Sequence, residues 1–280
     1  MSKMLKRMVK NSDHALFVGL HLLSYKKRHA LYSVYAYGHH INDIVSSSRT
    51  QSEKIALWKA WQNEIECIFA DKNTIPNSEV GRAIKRNLQP YALLKSDFSA
   101  FLDNKLHYLT TPQANFDWND YQKYCYDECG AFISSALRIL GCRDTALIDN
   151  LSRNLGLAMQ TTIVLRDIKD NAFSGNLYMP HSFLEDAGIK EFNPYMVLAD
   201  NNLAKVRCRL SQVASDAFNQ SFTLMMQLNK KVSSRLKSMT YVYKYYFDAM
   251  EKRGWEVLSP KPQVSCLTKL RLVCKAYLEK

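Results

Sequence analysis

Glycine and proline are scarce in this 280-residue chain, nine and seven residues, about half of their average share. Little material is left for tight hairpin turns or flexible linkers, which argues against an all-β chain. Long apolar runs are missing too. The uncharged apolar stretch 154–165 is closed by Arg153 and Arg166 and falls short of the roughly 18 residues of a membrane-spanning helix. The seven cysteines include no CxxC pair, and their odd number suits a reduced compartment better than a disulfide framework. Cys125 and Cys129, four apart, read as two small buried side chains on one helix face, not as a metal or redox pair. Acidic residues are the remaining shortage: 26 Asp and Glu stand against 38 Lys and Arg, for a net charge of +12.

That excess is local, because residues 201–280 carry 15 basic and 5 acidic side chains. A one-sided basic region fits nucleic acid, an anionic membrane surface or a phosphate-bearing substrate. No helix-turn-helix, zinc-finger or RNP-like pattern accompanies it, so nucleic acid is not an expected partner. Its residues Lys205, Arg209, Lys230, Lys231, Arg235 and Lys237 recur along two long helical segments and read as a solvated face that could rest on anionic lipid. The basic start (Lys3, Lys6, Arg7, Lys10) is followed by Asp13, His14 and His21, which is unlike a signal peptide. The expectation is a cytoplasmic protein, at most peripheral to the inner membrane. Oligomeric state is not legible.

What the chain has in abundance is helical periodicity. Apolar side chains recur at three- and four-residue spacing over 14–24 and 29–46, with Lys26, Lys27 and Arg28 between them, and again over 53–70, 79–92, 96–109, 118–140 and 145–171. Gly141 is placed to cap the end of the 118–140 segment. Two more long amphipathic stretches cover 201–229 and 231–252, and a short one runs from about 265 to 278. The longest interruptions are 110–117, 173–200 and 255–264. The simplest account is one all-α domain of eight or more helices over residues 1–280.

Two segments carry candidate chemistry. In 156–172, Gln160, Val164, Asp167 and Asn171 follow a helical stripe at spacings of four, three and four, flanked by Arg166 and Asp170. A helix face ending in carboxylates needs counter-charge, either a divalent cation bound to a diphosphate or an Arg or Lys near the helix end. In 35–46, His39, Asn42, Asp43 and Ser46 share one side of a helix. The adjacent His39 and His40 point about 100° apart and cannot both face one ion, which disfavours zinc. The run after Ser46 is expected to end that helix.

In this order and separation, the two segments resemble the squalene/phytoene synthase family of head-to-head prenyltransferases. Further matches are Tyr124-Cys125 with Gly130, Leu140-Gly141, Gly156, Ala158, Gln160, Leu165-Arg166-Asp167, Ala172, Gly175, Tyr178 and Pro180. Leu177-Tyr-Met-Pro180, Phe183-Leu-Glu-Asp-Ala-Gly-Ile189 and Arg253-Gly-Trp255 look most like its presqualene diphosphate synthase branch. The resemblance implies a single-domain all-α bundle of the isoprenoid synthase type around a central apolar cavity. It also implies condensation of two farnesyl or geranylgeranyl diphosphates through a cyclopropyl intermediate, with release of diphosphate. Carried over residue by residue, it makes Asp43, Asp167 and Asp170 the magnesium ligands, with Arg166 as a further catalytic group. Arg28, Tyr35, His39, Asn42, Gln160, Asn171 and Tyr178 become the substrate contacts.

The pattern is degenerate. Asn42, Ser46 and Asn171 stand where the family has carboxylates, His39 where it has Arg, Ile163 where it has Asn and Asn176 where it has a basic residue; Leu106 and Tyr108 replace acids. Magnesium sites are built from hard anionic oxygens, so each neutral replacement weakens the attraction for a dication. Aromatic pocket material survives in Tyr35, Tyr37, Phe132 and the run from Tyr241 to Phe247, although most such rings serve core packing. The alternative expectation is therefore a weakened or inactive relative: a prenyl-lipid binder, a synthase subunit or a respiratory complex I assembly factor.

Overall fold

A computed structural model of the chain describes residues 23–110 and 116–279, and among them it is helical with no strand. Contacts sort the chain into two compact units, residues 1–112 with 131–148 and residues 113–130 with 149–280. The helices are α1 (Tyr25–Ser46), α2 (Gln51–Phe69), α3 (Glu79–Leu88), α4 (Lys95–Thr110), α5 (Trp118–Cys125), α6 (Ala131–Leu140), α7 (Thr145–Phe173), α8 (His181–Asp186), α9 (Pro194–Ala199), α10 (Leu203–Met225), α11 (Lys230–Arg253) and α12 (Cys266–Leu278). A π-helical turn, Tyr126–Gly130, joins α5 to α6.

In the first unit, α1 packs against α3, α4 and α6. Its inward positions Leu31, Val34, Ile41 and Ile44 are buried at the expected helical spacing. Tyr37 is a core residue: its hydroxyl donates to the Phe98 carbonyl at 2.7 Å, its ring lies among Trp61, Phe98 and Phe101, and burial pushes its ionisation far up. The basic triplet does not separate two helices as its sequence suggests. Helix α1 begins at Tyr25, and Lys27 donates to the Leu140 carbonyl at 2.6 Å, satisfying the C-terminal end of α6. Gly141 caps α6 with φ of +108° while the Cys142 amide closes back to Leu137, the bonding of a Schellman end. Helix α2 opens on a capping box between Thr50 and Glu53. Helix α3 stops at Leu88, four residues before the sequence pattern ends. The expected helix over 14–24 lies almost wholly outside the described residues.

His40 packs on the Trp61 ring, 5.1 Å between centroids. Burial lowers its pKa below the usual 6.5; Asp43 pulls it back up, and His39 and Arg49 push it further down. The unfolded chain then takes up a proton near 6.5 that the folded chain resists, so stability is full above that pH and falls as pH drops below it. The melting temperature is expected to fall between pH 7.5 and 5.5, and His40→Gln to show a smaller fall by differential scanning fluorimetry. An equal fall in both proteins would show that another group sets the acid limb.

In the second unit, α10, α11 and α12 pack in series, and α8 and α9 rest on α10. The two short helices occupy the span that periodicity leaves as an interruption, too short at six residues each to show a period. Arg207 is fully buried; its guanidinium donates to the carbonyls of Trp255 and Val257 and lies 5.7 Å from the Trp255 ring. Burial, with Arg253 nearby, lowers its pKa to about 10. This side chain ties the segment after α11, which carries Lys261, to α10.

Candidate active site

The site is built on α7. Its first half crosses the π-turn at two glycines: a Cβ on Gly156 would come within 2.8 Å of the Gly130 backbone and 3.1 Å of the Cys125 carbonyl. That approach brings the next turn of α7 against α5. Gln160, buried, donates from Nε2 to the Tyr124 hydroxyl at 2.7 Å and accepts from the Cys129 thiol at 3.2 Å. The Tyr121 hydroxyl donates to Thr161 Oγ1 at 2.8 Å. Cys125 is buried as expected, but Cys129 is only half-buried and acts as a hydrogen-bond donor.

Tyr178 stacks on Tyr124 with centroids 4.8 Å apart and planes within 5°. Burial raises both hydroxyls, that of Tyr178 to about 12, with the Glu128 carboxylate adding to the effect. Both phenols therefore stay neutral, and a stacked pair of this kind is electron-rich enough to attract a cation at its outer face.

About two turns beyond Gln160, the Asp167 carboxylate accepts a bidentate pair from Arg166, Nε at 3.0 Å and Nη2 at 2.8 Å. It also pairs with the Lys261 ammonium at 2.7 Å, and Lys261 bonds Asp170 as well. Asp167 has a side chain 19% exposed against 67% for Asp170. Burial alone would raise the Asp167 carboxyl, but Arg166 and Lys261 outweigh it and hold it below the usual carboxylate range. The Arg166 guanidinium lies 5.0 Å from the Tyr246 ring. Protein cations thus supply the counter-charge of this face, and one comes from a segment more than 90 residues away. Lys261 is the residue that sequence reasoning missed: it lies between two prolines in an aperiodic stretch, with no spacing relation to α7. Asn171, half-buried at the end of α7, accepts the Ser174 and Asn176 amides on its carbonyl.

A family model described as squalene/phytoene synthase matches residues 9–268. The chain belongs to the squalene/phytoene synthase family. Among its relatives, a presqualene diphosphate synthase of Sinorhizobium fredii is 26% identical over 269 residues, covering 94% of this chain and 93% of the relative. A 15-cis-phytoene synthase of Pantoea ananas is 24% identical over 260 residues, covering 91% and 84%. The helical fold is shared with a dehydrosqualene synthase crystallised with a ligand, at a TM-score of 0.84 and 19% identity over 98% of this chain and 94% of that one. A squalene synthase from Alicyclobacillus acidocaldarius matches at 0.77 and 19% over 90% and 94%. The all-α isoprenoid synthase type expected from the family resemblance is thereby shown.

The first family motif lies on α1, in the first unit. His39 and Asp43 pair at 2.9 Å, one helical turn apart, with the Asp43 side chain 58% exposed. Asn42 is exposed, and its carbonyl accepts the Ser46 hydroxyl at 2.9 Å. Helix α1 ends at Ser46, as its serine run implies. Arg28 and Tyr35 are half-buried on the same helix, and the Arg28 charge partly offsets the rise that burial causes in the Tyr32 hydroxyl. Among the described residues, no group of three or more His, Cys, Asp or Glu side chains could hold a metal unaided. Asp167 and Asp170 still fit magnesium, which commonly takes one or two protein carboxylates and completes its shell with water and substrate phosphates.

Proposed function

We propose that the chain, as one synthase domain, joins two prenyl diphosphates head to head with release of diphosphate, on farnesyl or geranylgeranyl substrates. The observation that carries the reading is α7, which on one face sets an aromatic-backed amide, Gln160 on Tyr124, and, seven residues on, a half-buried carboxylate, Asp167, held ionised by two cations. The family's names for its members, presqualene diphosphate and phytoene synthases, match this chemistry.

Asp167 and Asp170 would hold magnesium against the substrate diphosphate, with Asp43 as the surviving carboxylate of the first motif. Bound magnesium would supply positive charge to the departing diphosphate. The chain's own groups do the rest. Arg166 fixes and ionises Asp167, and Lys261 bridges the two carboxylates. Asn171 offers a donor to phosphate oxygens, Gln160 fixes the Tyr124 hydroxyl, and the stacked Tyr124 and Tyr178 shield the allylic cation from water; on α1, the match to the family motif gives Arg28, His39 and Asn42 the role of phosphate donors and Tyr35 that of an aromatic substrate contact. A peripheral contact with an anionic membrane belongs to the same reading, since joining two prenyl chains gives a water-insoluble product.

Purified protein incubated with labelled farnesyl or geranylgeranyl diphosphate is expected to release diphosphate and form a longer prenyl lipid only when Mg2+ is present. No release from either substrate with Mg2+ would overturn the proposal.

A further inference from the structure

Helix α12 turns its apolar side to solvent. Its buried positions are Lys269, Val273 and Ala276, whereas Leu267, Leu270 and Leu278 are 59%, 51% and 80% exposed. With Cys274 these leucines follow spacings of three, four and four, so they form one outward stripe. A helix packed on a soluble core normally shows the reverse pattern. Arg271 and Lys275, both exposed, flank the stripe.

Two depressions meet at this face. A groove of about 640 Å³ runs along the stripe between Leu270, Cys274 and Leu278. A second pocket, of about 540 Å³, shares Lys275 and Glu279 with it and adds Lys237, Lys244 and Met226. In that pocket the ammonium groups already hold carboxylates: Lys237 and Lys275 pair with Glu279, and Lys244 with Asp248. Met226, at its edge, is 75% exposed and precedes Lys230 and Lys231 in the turn from α10 to α11. Apolar side chains are thus laid out beside a cluster of cations accustomed to anionic oxygen.

The occupant follows from charge. A second copy of the chain would set this basic third, 15 cations against 5 acids, against its own like. A surface of lipid phosphates complements it, and a leucine stripe bordered by Arg and Lys is what a helix lying in a bilayer interface presents. No helix among the described residues is long and apolar enough to cross a membrane. We propose that α12 docks on an anionic phospholipid bilayer, with Leu267, Leu270 and Leu278 at the headgroup–acyl boundary and with Arg271, Lys275 and the neighbouring pocket lysines on phosphates. This deepens the peripheral contact proposed above and names its face.

Flotation of the full chain with vesicles of phosphatidylcholine alone, or of phosphatidylcholine and phosphatidylglycerol in equal parts, tests it. The parent chain is expected to float with the anionic vesicles only. The triple variant L267S/L270S/L278S should lose at least ~10-fold in partitioning and R271E should lose binding in part, with helicity by circular dichroism and turnover of detergent-dispersed substrate both unchanged. If the parent chain does not float, the peripheral contact and its face both fall. If the triple variant floats as well as the parent, membrane binding stands and α12 is not its face. A parent dimer that becomes monomeric in the triple variant, with no flotation, would make the stripe a contact between copies and overturn the proposal. None of these outcomes touches the prenyl transfer reading, which is measured by turnover in detergent.

Discussion

The Asp167→Asn protein is expected to release diphosphate with a kcat/KM about two to three orders of magnitude below that of the parent chain, the range seen when one group that stabilises transition-state charge is removed. At 1.36 kcal/mol per tenfold, that is about 3–4 kcal/mol of transition-state stabilisation. Asparagine keeps the size and the carbonyl oxygen of aspartate but cannot carry its charge. The carboxylate it replaces is the less exposed one of the pair and is held ionised by Arg166 and Lys261. Asp170, far more exposed and bonded only through Lys261 among the contacts of this face, is expected to matter less, with Asp170→Asn losing about tenfold or under because solvent screens its charge. The ordering Asp167 over Asp170 is the informative result. A melting curve for each variant separates lost chemistry from lost fold, since removing one partner of a part-buried ion pair also costs stability. If Asp167→Asn kept activity within a few-fold of the parent, the α7 carboxylates would not be the site of diphosphate departure.

Much of this site can be read from spacing. Gln160 and Asp167 share a helical face by arithmetic alone, and the helix that carries them runs from Thr145 to Phe173, within two residues of its periodic signal. Gly141 and the serine run after Ser46 mark helix ends because their signals are local. What escapes the sequence is settled by contacts between distant segments. Lys27 looks like part of a charged break, yet its ammonium reaches a carbonyl at the end of α6 and lets α1 start earlier. Lys261 reaches α7 from a proline-flanked stretch held in place by Arg207, whose guanidinium is buried. The solvated-face reading holds for Lys205, Arg209, Lys230 and Lys231, which are exposed, and fails for Lys237 and Arg235, which are only half-exposed, Lys237 being paired with Glu279. The π-turn between α5 and α6 leaves the apolar pattern of 118–140 almost unbroken, because one wide turn shifts register without changing which residues are apolar.

That turn carries the second large effect. Gly156→Ala is expected to lower the melting temperature by about 5–10 °C, corresponding to a loss of about 2–3 kcal/mol at 2–4 °C per kcal/mol for a chain of this size class. Helix propensity taken alone gives the opposite sign, since alanine in place of a mid-helix glycine gains up to about 1 kcal/mol. Geometry decides against propensity here. The added methyl would lie 2.8 Å from the Cα and the amide nitrogen of Gly130, backbone atoms that cannot swing aside, and Gly130 is itself confined by the Ser152 carbonyl, 2.8 Å from where its own Cβ would stand. Relief requires α7 to move away from the π-turn, and Gln160, one turn further on, would then lose its bonds to Tyr124 and Cys129. Gly38 supplies the control: on α1, a Cβ there would meet only the Phe101 ring at 3.7 Å, an ordinary contact, so Gly38→Ala should follow propensity and hold or raise the melting temperature. Calorimetry on the two variants separates the effects, and a Gly156→Ala protein melting at or above the parent would mean that α7 does not depend on this glycine crossing to place its side chains.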